Sequence, residues 1–156
     1  SRLVEERHLG YNAVKLSKSH WEDQNLNIEI LSFTERTIKA IDVMKLYNDV
    51  GWWEERLEQD IEEMLNKVQS VGAWKGDTLV GFARAVSDGK FRAYIEDVVI
   101  HSSYCRNGIG TKLVSKLIDE LSHINVISLF CEEHLIPFYE KNNFKYSKSQ
   151  YVMHRK

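Results

Sequence analysis

The segment Tyr104-Cys105-Arg106-Asn107-Gly108-Ile109-Gly110-Thr111-Lys112-Leu113 joins a strand-like run to an amphipathic helical pattern, and its residue types suit the binding of an anion. Two glycines let the backbone approach a ligand closely. Exposed N–H groups at a helix start, at the positive end of the helix dipole, favour a phosphate or pyrophosphate. The segment lacks the lysine-serine pair of a nucleoside-triphosphate loop, and it follows hairpins instead of the opening strand of a βαβ unit, so triphosphate and dinucleotide cradles are both disfavoured. Just upstream, Glu96 and Asp97 are neighbours in the strand-like run. A carboxylate there can take a proton from a reacting group. Strict alternation would send the two to opposite faces, so that only one faces the site directly; Glu96 is the favoured one. His101, Cys105, Cys131 and His134 match no compact zinc spacing, and no metal is expected.

The elements that must position these residues are legible from periodicity. Asn27 to Phe33 alternates apolar and polar residues as a half-buried strand does. A helix capped by Thr34 or Thr37 would bury Ile38, Ile41, Met44 and Tyr47 and end near Val50-Gly51. Leu57, Ile61, Met64, Leu65 and Val68 have the three-and-four spacing of a second amphipathic helix. Strand-like runs Val71 to Trp74, Leu79 to Val86 and Phe91 to Ile100 are separated by Lys75-Gly76-Asp77 and Ser87-Asp88-Gly89-Lys90, which are hairpin signals. After Gly110 a helix would bury Leu113, Val114, Leu117, Ile118 and Leu121. A buried strand follows at Val126 to Cys131, then a short helix through Phe138-Tyr139, and two closing strands at Phe144 to Tyr146 and Gln150 to His154. The predicted order is βααβββαβαββ, an α+β domain with a mixed, mostly antiparallel sheet flanked by helices.

Composition bounds the alternatives. A chain of 156 residues fits one domain, taken as 27–156, with 1–26 as an N-terminal extension that is polar and weakly patterned. It is 43% hydrophobic and 28% charged, with one proline, a globular profile with material for a sizeable core. The net charge is −2, the pI is near 6.3, and basic runs do not exceed two residues, so no nucleic-acid partner is expected. Two cysteines without a CxxC pair, no signal-peptide core and no membrane-length apolar run point to a reducing, cytoplasmic setting without membrane association.

Tyr94-Ile95-Glu96-Asp97-Val98-Val99-Ile100-His101, the glycine turn and its helix, and Phe138-Tyr139-Glu140-Lys141-Asn142-Asn143-Phe144 together resemble the GCN5-related N-acetyltransferase superfamily. Its members have the pattern of strand, RxxGxG or QxxGxG loop, helix, strand and FYEKxGF. The resemblance implies acetyl-CoA as cosubstrate. The backbone of Val98, Val99 and Ile100 would pair with the pantetheine arm, and Cys105, Arg106, Asn107, Gly108, Ile109, Gly110 and Thr111 would wrap the pyrophosphate. It also implies cofactor contacts for Phe138 and Lys141, and makes Tyr139 the acid that protonates the leaving thiolate, against a reading of Tyr139 as a core aromatic. Cys105 stands where the family usually has arginine or glutamine, with Arg106 one residue later to supply the charge. Asn143 replaces the motif's glycine, and asparagine is the next-best residue for a left-handed helix end.

The acidic pair is similar to the IEDVVV strand of the family's glucosamine-phosphate acetyltransferases. The resemblance further puts Trp52, Trp53, Glu54 and Asp97 at the acceptor, where an aromatic wall with carboxylates suits a cationic amine. The implied activity is direct transfer of an acetyl group to a primary amine of a small molecule, with a homodimer compatible with the family. A non-catalytic acyl-CoA sensor and a protein-lysine acetyltransferase are the alternatives.

Overall fold

The apolar periodicities resolve into a five-stranded sheet with helices on both faces. The computed structural model describes residues 27–156; the expected extension, residues 1–26, lies outside the described residues. The elements run β1 Ile28–Ser32, α1 Ala40–Asp49, α2 Glu58–Leu65, β2 Gln69–Lys75, β3 Thr78–Ser87, β4 Arg92–Ile100, α3 Ile109–Glu120, β5 Val126–Leu129 and α4 Ile136–Glu140. Single 3-10 turns at Ser102–Tyr104 and Glu133–Leu135 lead into α3 and α4. The sheet order is β1-β2-β3-β4-β5. The first four strands pair antiparallel, and β5 joins parallel to β4. The tight turns at Gly76 and Gly89 have φ of +57° and +79°, as the hairpin signals require.

Each sheet face carries its own apolar cluster. On one, Ile109, Leu113, Val114 and Leu117 of α3 pack on Val80, Ala83, Ile95 and Val98. On the other, Val43, Leu46 and Tyr47 of α1 and Ile61 and Leu65 of α2 pack on Leu79, Phe82 and Val99. α3 lies very close to β3: a Cβ added to Gly81 would come within 2.8 Å of Leu113 Cδ1 and 3.1 Å of Ile100 Cδ1. A side chain at that position would force Leu113 to shift, so glycine favours the close approach of the helix to the strand.

Two expectations need correction. α1 begins at Ala40, with Lys39 at its N-cap, and not at Thr34 or Thr37. Residues after β1 first form a turn in which the N–H groups of Glu35 and Arg36 donate to Ser32 O, while the Thr34 hydroxyl pairs with that of Ser32 at 3.0 Å. The buried stripe of α1 is accordingly Ala40, Val43, Leu46 and Tyr47, and Ile41 is exposed. The two closing strands, Phe144 to Tyr146 and Gln150 to His154, do not form. Their apolar side chains find little to bury against, Tyr151 and Met153 being 86% and 91% exposed, and strand pattern without a paired edge and a buried face does not hold a strand. No helix among the described residues is long and apolar enough to cross a membrane.

Leu113 joins α3 to the sheet at the Gly81 contact and is fully buried. Leu113→Ala is expected to destabilise the fold by about 2–5 kcal/mol, read from urea unfolding midpoints at unchanged slope.

Candidate functional site

The site is built around an irregularity in β4. Arg84 of β3 lies opposite Glu96 and Phe82 opposite Val99, so Asp97 and Val98 together face Ala83. This is a β-bulge, and its extra residue, Asp97, has φ +52°, a left-handed conformation that is unfavourable for a side chain with a Cβ. Compensation comes from the carboxylate. Although Asp97 is fully buried, Oδ2 accepts from the Tyr47 hydroxyl at 3.0 Å, Arg56 Nη1 at 3.0 Å and Arg84 Nε at 2.7 Å, and Oδ1 accepts from Trp53 Nε1 at 3.2 Å. Burial works to raise its pKa, yet the charges and hydrogen bonds of Arg84 and Arg56 outweigh burial and hold it below the ordinary carboxylate value. Tyr47 shifts the other way, pushed well up first by burial and then by the Asp97 charge, so its hydroxyl stays a donor.

The bulge changes where the acidic pair points. Glu96 shares a face with Arg84, its partner in the register, and Asp97 bonds to that same Arg84, so both carboxylates lie on the face covered by α1 and α2. The expected division between opposite faces is therefore corrected: the extra residue breaks the alternation. Glu96 is half-buried, and two residues earlier on its face stands Tyr94, whose phenol is pushed up by burial, then by the Glu96 charge and a hydrogen bond to it. Of the expected aromatic wall, Trp52 is core at 3% exposure, while Trp53 is half-buried and carries the Arg56 guanidinium 4.0 Å above its ring. Glu54 is exposed on the loop between α1 and α2.

Beyond Ile95 the sheet opens. β4 pairs with β5 only from Arg92 to Ile95, so along Val98, Val99 and Ile100 no strand borders β4 on its β5 side among the described residues. At the end of this opening lies the glycine loop, where Arg106 (φ +69°) and Gly108 (φ +75°) are both left-handed and Gly108 is the N-cap of α3. Left-handed residues alternating with ordinary ones turn successive N–H groups to one side and make an anion-binding concavity. Cys105 is half-buried, its Sγ 3.6 Å from His101 O and 3.9 Å from Ile100 O, and so it ties the loop to the end of β4. Arg106 is exposed beside it, and Ile109 and Gly110 are buried at the helix start. Asn142 Nδ2 donates to Thr111 O at 3.1 Å and links the end of α4 to α3, while Asn143 adopts the left-handed φ of +65°. Phe138 is half-buried and Lys141 exposed. Tyr139 is 2% exposed, edge-on to Phe138 and Phe144.

A cavity of about 840 Å³ lies between β5 and the C-terminal segment, and Tyr139 reaches it. None of Val98 to Ile100, Arg106 to Thr111 or Trp53 lines it, so it is a groove beside the unpaired tail and not the opening described above. The described residues contain no group of three or more side chains arranged to hold a metal.

The strand that parts from its parallel neighbour, the left-handed loop capping α3 and the short helix with Tyr139 all fall within one span matched by sequence comparison. Residues 35–144 match the Acetyltransferase (GNAT) family. The chain belongs to that family. Among its relatives is the uncharacterized N-acetyltransferase ycf52 of Pyropia yezoensis, 32% identical over 124 residues, which are 74% of this chain and 70% of that protein. Another is a protein of Glycine max named histone acetyltransferase TAP1, 29% identical over 69% of this chain and 52% of its own length. The chain spans 60 to 70% of the length of the ycf52 relatives it matches. A GNAT-family acetyltransferase from Streptococcus pneumoniae has the same architecture, with a TM-score of 0.67 and 28% identity over 83% of this chain and 99% of that one.

Sequence reading did not find Tyr47, Arg56, Arg84 or Tyr94. Tyr94 and Arg84 carried a signal in hindsight, since each sits at strand spacing from a flagged carboxylate or opposite it across the hairpin. Tyr47 and Arg56 carried none, because they lie 50 and 41 residues from Asp97 in the chain.

Asp97→Asn leaves two guanidinium groups without their carboxylate and is expected to cost about 3–5 kcal/mol at neutral pH. Because the native pKa is lowered, the stability Asp97 contributes is complete above the ordinary carboxylate value and is lost as pH falls through the lowered one. The stability gap between the two proteins, followed by urea unfolding from pH 7 to pH 3, should therefore narrow in acid.

Proposed function

We propose that this acetyltransferase moves an acetyl group from acetyl-CoA to a primary amine of a small molecule by direct attack, with no covalent enzyme intermediate. The observation that carries the reading is the run of β4 from Val98 to Ile100, left among the described residues without a neighbour on one side and ending at a loop with two left-handed residues at the start of α3. Such an edge offers backbone N–H and C=O groups to an amide-bearing arm, and the loop offers N–H groups to its pyrophosphate. A backbone N–H of β4 would polarise the thioester carbonyl. Glu96, half-buried beside Tyr94 and Arg84, takes the proton that the amine loses as its nitrogen bonds to the carbonyl carbon. The C–S bond breaks, and Tyr139 gives its phenolic proton to the departing sulfur. Cys105 closes the loop onto β4 and is not the nucleophile.

A second reading, transfer to a protein lysine, is favoured by one observation, the similarity to the protein named histone acetyltransferase TAP1.

Calorimetric titration with acetyl-CoA, followed by thiol release with spermidine, glucosamine 6-phosphate, tyramine and Nα-acetyl-lysine amide, tests the proposal. Binding with thiol release on a small amine is expected; an absence of acetyl-CoA binding overturns the reading, and release with protein lysines alone moves it to the second. Tyr139→Phe should lower kcat by about 100-fold, the scale of general-acid catalysis, with acetyl-CoA affinity little changed. Glu96→Gln should cut turnover and flatten its rise with pH; wild-type kinetics in either variant would remove that residue from the mechanism.

A further inference from the structure

Asp97 is 0% exposed and both its carboxylate oxygens already accept from protein donors, so it does not touch an acceptor; with Tyr47 it joins the three elements that surround the face bearing Glu96. Through one carboxylate, β4 is bonded to Tyr47 of α1, to Trp53 and Arg56 of the α1–α2 loop, and to Arg84 of β3. We propose that Asp97 is a positioning residue for the acceptor amine, which holds the Trp53–Arg56 wall against the β4 bulge beside Glu96 instead of contacting the amine itself.

Within this loop Trp52 is packed in the core and turn bonds run from Trp52 N to Tyr47 O and from Arg56 N to Trp53 O, while Glu54 and Glu55 are exposed. Trp53, at φ +52°, and Arg56 reach the sheet through the indole and the guanidinium that donate to Asp97. Arg56 also stacks on Trp53, at 4.0 Å, and lies 5.7 Å from the Tyr47 ring, so the carboxylate orders the cation and the cation orders the indole. One carboxylate facing two guanidinium groups makes the arrangement depend on its charge and on its geometry together. Arg84 extends the same network to Glu96, its neighbour across the hairpin. The cofactor side, by contrast, is held by bonds that do not pass through Asp97: Cys105 onto the end of β4, Asn142 onto Thr111, and Asp49 onto Ser102 at 2.8 Å. The network therefore bears on the acceptor and much less on acetyl-CoA.

The inference rests on the acyltransfer reading, and the test keeps the two apart. Asp97→Asn and Tyr47→Phe are compared with the wild-type protein for acetyl-CoA affinity by calorimetry and for kcat and KM with the same four amines; Tyr47→Phe removes one donor from a buried position and keeps the test open should Asp97→Asn not fold. Both variants are expected to raise the amine KM, by about fivefold or more for Asp97→Asn, a coupling typical of residues without ligand contact, while acetyl-CoA affinity stays within about twofold. An unchanged amine KM, or a parallel loss of acetyl-CoA affinity, overturns the inference while leaving the acyltransfer reading standing. Should the wild-type protein bind acetyl-CoA but use none of the amines, hydrogen exchange over residues 51–57 decides: faster exchange there in Tyr47→Phe, with the α3 amides unchanged, supports the positioning role, and unchanged exchange refutes it.

Discussion

Removing a carboxylate from water carries a large desolvation penalty unless donors replace the lost hydration, and in this protein that constraint falls on Asp97. The donors that meet it come from a helix, a loop and a neighbouring strand, which must all converge on one point. The bulge in β4, the path of the loop between α1 and α2 and the approach of α1 to the sheet are therefore one solution to one electrostatic problem. Loss of the carboxylate leaves two guanidinium groups without their counter-charge, and loss of any donor removes part of what replaces its hydration. Such an arrangement contributes little net stability compared with an apolar core, and what it adds is a unique geometry.

That geometry bears directly on the sheet. β4 carries its extra residue just past Ile95, where its pairing with β5 ends. A bulge bends and twists the strand locally, and a parallel neighbour cannot follow it. Among the described residues, the backbone from Val98 to Ile100 is thus left with one bonded side, toward β3, and one open side that leads to the left-handed loop at α3. The bulge and the open edge are set by the same two or three residues of β4, and Glu96 stands beside them.

The close packing of α3 on β3 supplies the other half of the frame. The absence of a side chain at Gly81 lets Leu113 approach the strand, and the helix starts at the left-handed Gly108. Asn142 then fastens the short helix that carries Tyr139 to α3, and the left-handed Asn143 ends it. Apolar burial sets the layers, and a few directional bonds at their edges set the site.

What the sequence by itself determined is everything that depends on neighbours along the chain. Strand and helix periods, the hairpins at Gly76 and Gly89, the loop from Cys105 to Thr111 and the family all follow from local pattern, and so does the left-handed Asn143. What only the tertiary structure decided depends on groups far apart in sequence. Alternation read one residue at a time sent Glu96 and Asp97 to opposite faces, whereas the bulge, stabilised by Tyr47, Trp53, Arg56 and Arg84, brought them to the same one. Trp52 and Trp53, alike by type, separated into core and site because only Trp53 turns its N–H toward the buried charge. The closing strands did not form although β5 lies at the sheet edge, since Tyr151, Val152 and Met153 stay exposed and bury too little to hold a strand. Periodicity records which side chains prefer to leave water; where a buried charge must be satisfied, the positions of its distant partners decide the outcome.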